Sequence, residues 1–289
     1  MEAPGTIIFS HGNGFPAGTY RQMLEVWREA GWRVEALPMY GHDPAHPVSS
    51  NWPRLRDQLI GFASGLPVTP GPRVLIGHSM GGLLSLKAAL HRPELADAVL
   101  LLDSPVVGGW RAQSVRLAKA TRLIARVSPG RIAARRRMHW PSVDAARAHF
   151  GAKSIFARWA PGVLDDYLAC GLVAAGRTDA DGVRLAFDRQ VEARIYDTLP
   201  HTLDRLIARQ PLRCPVGFLA GTQSRELRQA GLAATRRLVG ERLQWIEGSH
   251  LFPMEKPGEA ARRVLEMLAG MPGGRHAAAA DAHLGSVFQ

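Results

Sequence analysis

Residues 73–82, RVLIGHSMGG, restrict what this 289-residue chain can fold into more than any other stretch. Val74, Leu75 and Ile76 form the continuous apolar run expected of a strand buried on both faces of a parallel sheet. Leu83, Leu84, Leu86 and Ala89 then recur at helical spacing. A strand that passes directly into a helix forces its junction residue into strained dihedrals, and small neighbours must let the two backbones approach. Gly77 and Gly81 stand two before and two after Ser79, giving G-x-S-x-G.

A serine held in such a turn stands above the sheet edge at a helix N-terminus, where the peptide dipole favours developing negative charge. It can be a nucleophile, or it can simply cap the helix. Which of the two applies depends on whether the chain brings a base and an acid to the same edge.

The rest of the chain alternates between strands and helices. Strands are expected at Thr6–Gly12, Trp32–Met39, 73–79, Ala98–Ser104, Pro215–Gly221 and Arg242–Gly248. Helices are expected after a Thr19 cap, over about 54–63, after Ser79, over about 226–239 and over about 258–268. This pattern predicts an α/β fold, a mostly parallel twisted sheet covered by helices on both faces. Segments 1–104 and 211–269 would form the core, and residues 105–210, of helical character, an inserted cap roofing the carboxyl edge. The low-complexity tail 270–289 is expected to be disordered.

Composition narrows the function classes. The net charge of +11 is concentrated in the middle: residues 105–210 hold 18 Arg and Lys against 9 Asp and Glu. Arg111, Arg116, Lys119, Arg122, Arg126, Arg131 and the run Arg135, Arg136 and Arg137 belong to this segment. No aromatic interleaving or nucleic-acid motif accompanies them, so solvated helix faces are expected rather than a nucleic-acid partner. No apolar run reaches the ~20 residues of a membrane helix. The first fifteen residues show no secretion signal, and Cys170 and Cys214 form no disulfide framework, so a cytoplasmic location is expected. His42 and His46 lie in a Pro-containing loop without a carboxylate cluster at ligand spacing, so neither a metal nor a cofactor is expected.

His250, in EGSHLFPMEKP, falls just after the last strand, on the same edge as Ser79, where a general base is needed. The glycine-rich loop SHGNGFPAGTYRQ after the first strand can turn a backbone N–H toward a reacting oxygen. Asn13 is the first choice for that donor and Gly14 the alternative, with the Met80 N–H as the second donor. His11 is expected to brace the loop. Glu192 and Tyr196 share a helical face and either pack the insertion or line a pocket roof.

HGNG, GHSMGG and the GSH near the C-terminus, in this order and spacing, resemble the α/β-hydrolase fold superfamily over roughly Thr6 to Leu268. The resemblance implies a serine hydrolase, esterase-, lipase- or thioesterase-like, that cleaves a small-molecule acyl substrate without a cofactor. Related dehalogenases and epoxide hydrolases use an Asp nucleophile, and Ser79 argues against both. Two departures stand out. The chain begins almost at the HG strand, where relatives have two further strands. The acid that relatives place after the strand matching PVGFLAG is here Ser224. Asp103, which ends LLLD, becomes the first choice and Glu226 the alternative. A site without its acid would instead suit a catalytically silent binding protein on the same fold.

Overall fold

In the computed structural model, which describes residues 4–120 and 130–271, six strands form one all-parallel sheet. The strands are β1 (Thr6–Ser10), β2 (Arg33–Ala36), β3 (Arg73–His78), β4 (Ala98–Leu102), β8 (Val216–Gly221) and β9 (Leu243–Ile246), in the order β2-β1-β3-β4-β8-β9. The order reverses at β1, so β1 and β3 diverge at the carboxyl edge. Such a switch point leaves a crevice at that edge.

Both faces of the sheet are covered because alternate strand residues must be buried on both sides. On one face α1 (Arg21–Glu29) packs with the terminal helix Pro257–Ala269, through Met23, Leu24, Trp27, Val264 and Leu268. On the other, α2 (Pro53–Gly65) and α3 (Met80–His91) pack through Leu55, Leu59, Leu84 and Leu86. Trp27 is fully buried, and its indole N–H donates to the Ala261 carbonyl at 3.1 Å, tying the two helices of the first face together. Trp27→Ala is expected to cost about 3–5 kcal/mol of unfolding free energy in a urea titration, through cavity formation and loss of that bond. A loss below ~1 kcal/mol would mean that this face is not part of the cooperative core.

Several local expectations are corrected. Thr19 does not cap α1: it is buried in a 3-10 turn, Ala17–Tyr20, that runs straight into the helix. The stretch 226–239 is two helices, Arg225–Ala230 and Ala233–Val239, because Gly231 has φ 75°. The insertion also contains strands. Besides its helices it forms β5 (His139–Trp140), β6 (Leu172–Ala174) and β7 (Val183–Leu185), an antiparallel sheet of order β5-β7-β6. Strands of two or three residues leave no readable alternation. Nor is the run 135–137 one solvated face. Arg135 and Arg137 are exposed, but Arg136 turns inward to pair with the buried Glu192. Arg122, Arg126 and residues 272–289 of the expected tail lie outside the described residues. Among the described residues no helix is long and apolar enough to cross a membrane, and no His, Cys, Asp and Glu cluster could hold a metal.

Candidate active site

Five loops at the carboxyl edge of the sheet converge on Ser79. β3 ends at His78 and α3 starts at Met80, which leaves Ser79 at φ 53°, ψ −115°, outside the regions a side chain prefers. The glycines make that turn possible. A Cβ on Gly77 would run into the Gly81 backbone, one on Gly81 into the Ser10 carbonyl, and one on Gly82 into Ser104 Oγ. The Ser79 N–H donates to the Leu102 carbonyl at 3.0 Å, so β4 holds the turn from the side.

Asp103 follows β4 and is fully buried, with φ 44°. Its Oδ1 accepts from the Gly221 N–H at 2.9 Å, and its Oδ2 accepts from Ser224 Oγ at 2.5 Å and from His250 Nδ1 at 2.6 Å. Three donors, two of them from β8 and the turn after it, compensate the desolvation of this carboxylate. Ser224 also caps the next helix by accepting from the Leu227 N–H at 3.0 Å. Ser224 therefore holds the carboxylate that follows the neighbouring strand.

His250 completes the line: its Nε2 lies 3.0 Å from Ser79 Oγ. The bond from Nδ1 to Asp103 fixes the tautomer, with the proton on Nδ1 and Nε2 free to accept from the serine hydroxyl. Burial lowers the His250 pKa. The hydrogen bond to Asp103, the Asp103 charge and the Glu226 charge oppose burial and leave it above the ordinary histidine value. Glu226 is exposed and acts on His250 through space; it is not within bonding distance. The loop carrying His250 is braced by Glu255, which accepts from the Ser249 N–H at 2.9 Å and from its hydroxyl at 2.6 Å. Arg158 of the insertion pairs with the same Glu255 at 3.2 Å.

The loop after β1 lies beside this line. Neither the Met80 N–H nor the Asn13 N–H donates to a protein acceptor among the described residues. The Asn13 side chain is engaged elsewhere, its Nδ2 donating to the Glu192 carbonyl at 3.0 Å. Gly14, at φ 79°, lies against the Glu192 carboxylate, whose Oε1 is 2.8 Å from where a Cβ would stand. Glu192 is 2% exposed, and burial raises its pKa against the counter-charge of Arg136, whose Nη2 is 3.0 Å away. Tyr196 is close enough to Glu192, Arg136 and Glu226 to feel all three charges. His11 donates from Nδ1 to the Gly12 carbonyl at 2.8 Å and accepts the Tyr40 N–H at Nε2 at 3.0 Å. His46 is used locally, on Asp43, whereas His42 joins the Tyr40 carbonyl to the distant Asp188 N–H.

Two residues behind the line carry no sequence signature of their role. The Gly12 N–H donates to the Tyr20 hydroxyl at 3.0 Å, and that hydroxyl donates to His78 Nδ1 at 2.6 Å. His78 Nε2 donates in turn to the His250 carbonyl at 2.8 Å, and its ring lies 4.9 Å from that of His250. Burial, with the His250 charge, lowers the His78 pKa to about 3. His78 does sit inside GHSMGG, but nothing local distinguishes a buried brace from a surface residue.

The sequence model of the alpha/beta hydrolase family matches residues 7–263. A monoacylglycerol lipase of Mycolicibacterium smegmatis is 27% identical over 135 residues, 44% of this chain and 46% of that protein. An uncharacterized hydrolase of Bacillus subtilis, YugF, is 34% identical over 102 residues, 34% of this chain and 36% of that protein. The matches span less than half the length of these curated relatives. Among solved structures, E-2-(acetamidomethylene)succinate hydrolase superposes with a TM-score of 0.70 over 92% of both chains, at 19% identity.

Proposed function

Because this chain belongs to the alpha/beta hydrolase family, we propose that it is a serine hydrolase that cleaves a carboxylic ester, thioester or related acyl bond through an acyl-enzyme. The observation that carries the proposal is the unbroken line from Ser79 Oγ to His250 and from His250 to the buried Asp103, at 3.0 and 2.6 Å. Ser79 Oγ attacks the acyl carbonyl while His250 Nε2 takes its proton. Asp103 holds the imidazole and stabilises the imidazolium that forms. The Met80 N–H and the Asn13 N–H, with Gly14 as the alternative, donate to the developing oxyanion, a contribution of about 3–4 kcal/mol per donor in such sites. The tetrahedral adduct collapses as His250 returns the proton to the leaving alcohol or thiol. Water then repeats the sequence on the acyl-enzyme. Every step is carried by groups of the chain, without a cofactor.

In this reading residues 105–210 act as a cap that brings Glu192 and Tyr196 over the loop carrying Asn13 and Gly14. The charge of Arg136 is met there by Glu192, which favours a neutral acyl group over an anionic one. The similarity to a monoacylglycerol lipase points the same way.

A fluorophosphonate probe tests the proposal. Stoichiometric labelling of Ser79, blocked by prior incubation with a hydrolysable p-nitrophenyl ester, is the expected result. An unlabelled Ser79, beside a serine hydrolase that labels under the same conditions, would leave a binding protein on this fold as the better description.

A further inference from the structure

Far from Ser79, at the opposite end of α3, a lysine is buried without a partner. Every residue of α3 from Met80 to Leu90 is buried, and Lys87 is the one charged residue among them. It is 7% exposed, and among the described residues its ammonium makes no hydrogen bond and no ion pair. Most of its stem is buried in a helix that is otherwise apolar, and the charge of Asp57 offsets that burial only in part. Lys87 lines a half-open cavity of about 100 Å³ together with Arg56, Leu90, His91, Leu206 and Gln210. The volume is that of about three water molecules, enough for one small oxyanion.

Basic groups outnumber acidic ones around the cavity. α2 contributes Arg56 and, next to it, Asp57, whose Oδ1 is engaged by Arg56 Nε at 2.9 Å and Nη2 at 2.6 Å. α3 contributes Lys87 and His91. The helix Leu203–Arg209 and the residue after it contribute Leu206 and Gln210, and Gln210 Nε2 is used on the Leu90 carbonyl at 3.0 Å. No carboxylate lines the space. Burial first, and then the Arg56 charge, lower the Lys87 pKa to about 8, with Asp57 opposing.

We propose that Lys87, Arg56 and His91 form a binding site for a small free oxyanion of the size of phosphate, which joins α2 and α3 to the helix through which the insertion returns to the core. The anion adds to the partial counter-charge of Asp57 and holds Lys87 protonated. The site is independent of the hydrolytic reading.

The chain has four lysines, Lys87, Lys119, Lys153 and Lys256, so ¹³C-lysine labelling gives a spectrum in which Lys87→Met identifies one resonance. The expected Lys87 midpoint is about 8 without phosphate and moves upward when inorganic phosphate replaces chloride at constant ionic strength. Saturating phosphate at pH 7 is expected to raise the wild-type Tm by on the order of 5 °C, an effect that fades at pH 9 as the ammonium is lost. Lys87→Met should melt no lower than wild type in chloride and should not respond to phosphate. An unmoved Lys87 resonance, or an equal Tm response in Lys87→Met, would overturn the proposal and leave only binding to the basic surface. Should Lys87→Met fail to fold, Lys87→Arg removes the same resonance and supplies the assignment instead. Phenyl phosphate separates the sources: a stronger shift than that given by inorganic phosphate would overturn the assignment to a free anion.

Discussion

Ser79→Ala is expected to lower kcat/KM for an activated ester by about 10⁴-fold or more while leaving the circular dichroism spectrum and Tm essentially unchanged. The methyl fits wherever the serine does, because the walls of the turn are the glycines at 77, 81 and 82 and not the hydroxyl. What disappears is the atom that His250 faces at 3.0 Å. Residual turnover at the background rate of the oxyanion donors would remain. Wild-type turnover in a purified, folded variant would remove Ser79 from the reaction.

Asp103→Asn should have an effect of the same order, about 10⁴ in kcat, with KM little changed, because the amide can present the wrong group to Nδ1 and favour the wrong tautomer. Glu226→Gln should stay within about threefold, since an exposed charge acting through water is screened. The pH profile gives a second, independent reading. Activity requires neutral His250 and so rises with pH as the imidazolium loses its proton. Its pKa is held above the ordinary value of 6.5 by Asp103 and Glu226 against burial, so the acid limb should lie above 6.5 in wild type. Glu226→Gln should move that limb downward while retaining most of the plateau rate. Residual activity in Asp103→Asn should show a limb displaced much further toward acid. If Glu226→Gln were the crippling substitution, the carboxylate assignment would be reversed.

The central strands and their turns were legible in the residues because they obey strong local rules. A doubly buried strand must be an apolar run, and a strand that enters a helix at once needs glycines, so β1, β3, β4 and β8 could be located to within about two residues. The meeting of Ser79 with His250 was legible for a topological reason: in an all-parallel sheet every strand delivers its last residue to the same edge. Which of the two carboxylates, Asp103 or Glu226, reaches His250 was not. It depends on the side-by-side pairing of β4 with β8, which sets Leu102 opposite Leu219 and brings the Gly221 N–H onto Asp103. Ser224 could be read only as a missing carboxylate, whereas its hydroxyl is a donor to the carboxylate one strand away. Glu192 was legible only as a residue that packs the insertion or roofs a pocket; its meeting with Arg136 and Gly14 depends on the fold. The small sheet of the insertion was missed because strands of two or three residues are too short to show a repeated alternation.

The path from Gly12 through Tyr20 and His78 to the His250 backbone has a consequence for how the protein meets changes in acidity. An enzyme whose base must titrate risks having its scaffold titrate as well, so that protonation would move the very loop being asked to work. Here burial keeps the Tyr20 phenol protonated and His78, with its pKa near 3, uncharged throughout the range in which His250 changes state. The frame behind the imidazole is thus electrically silent while the imidazole itself switches. Under the proposed mechanism, a fall in activity on mild acidification is then a change of charge on one ring and not on the frame behind it.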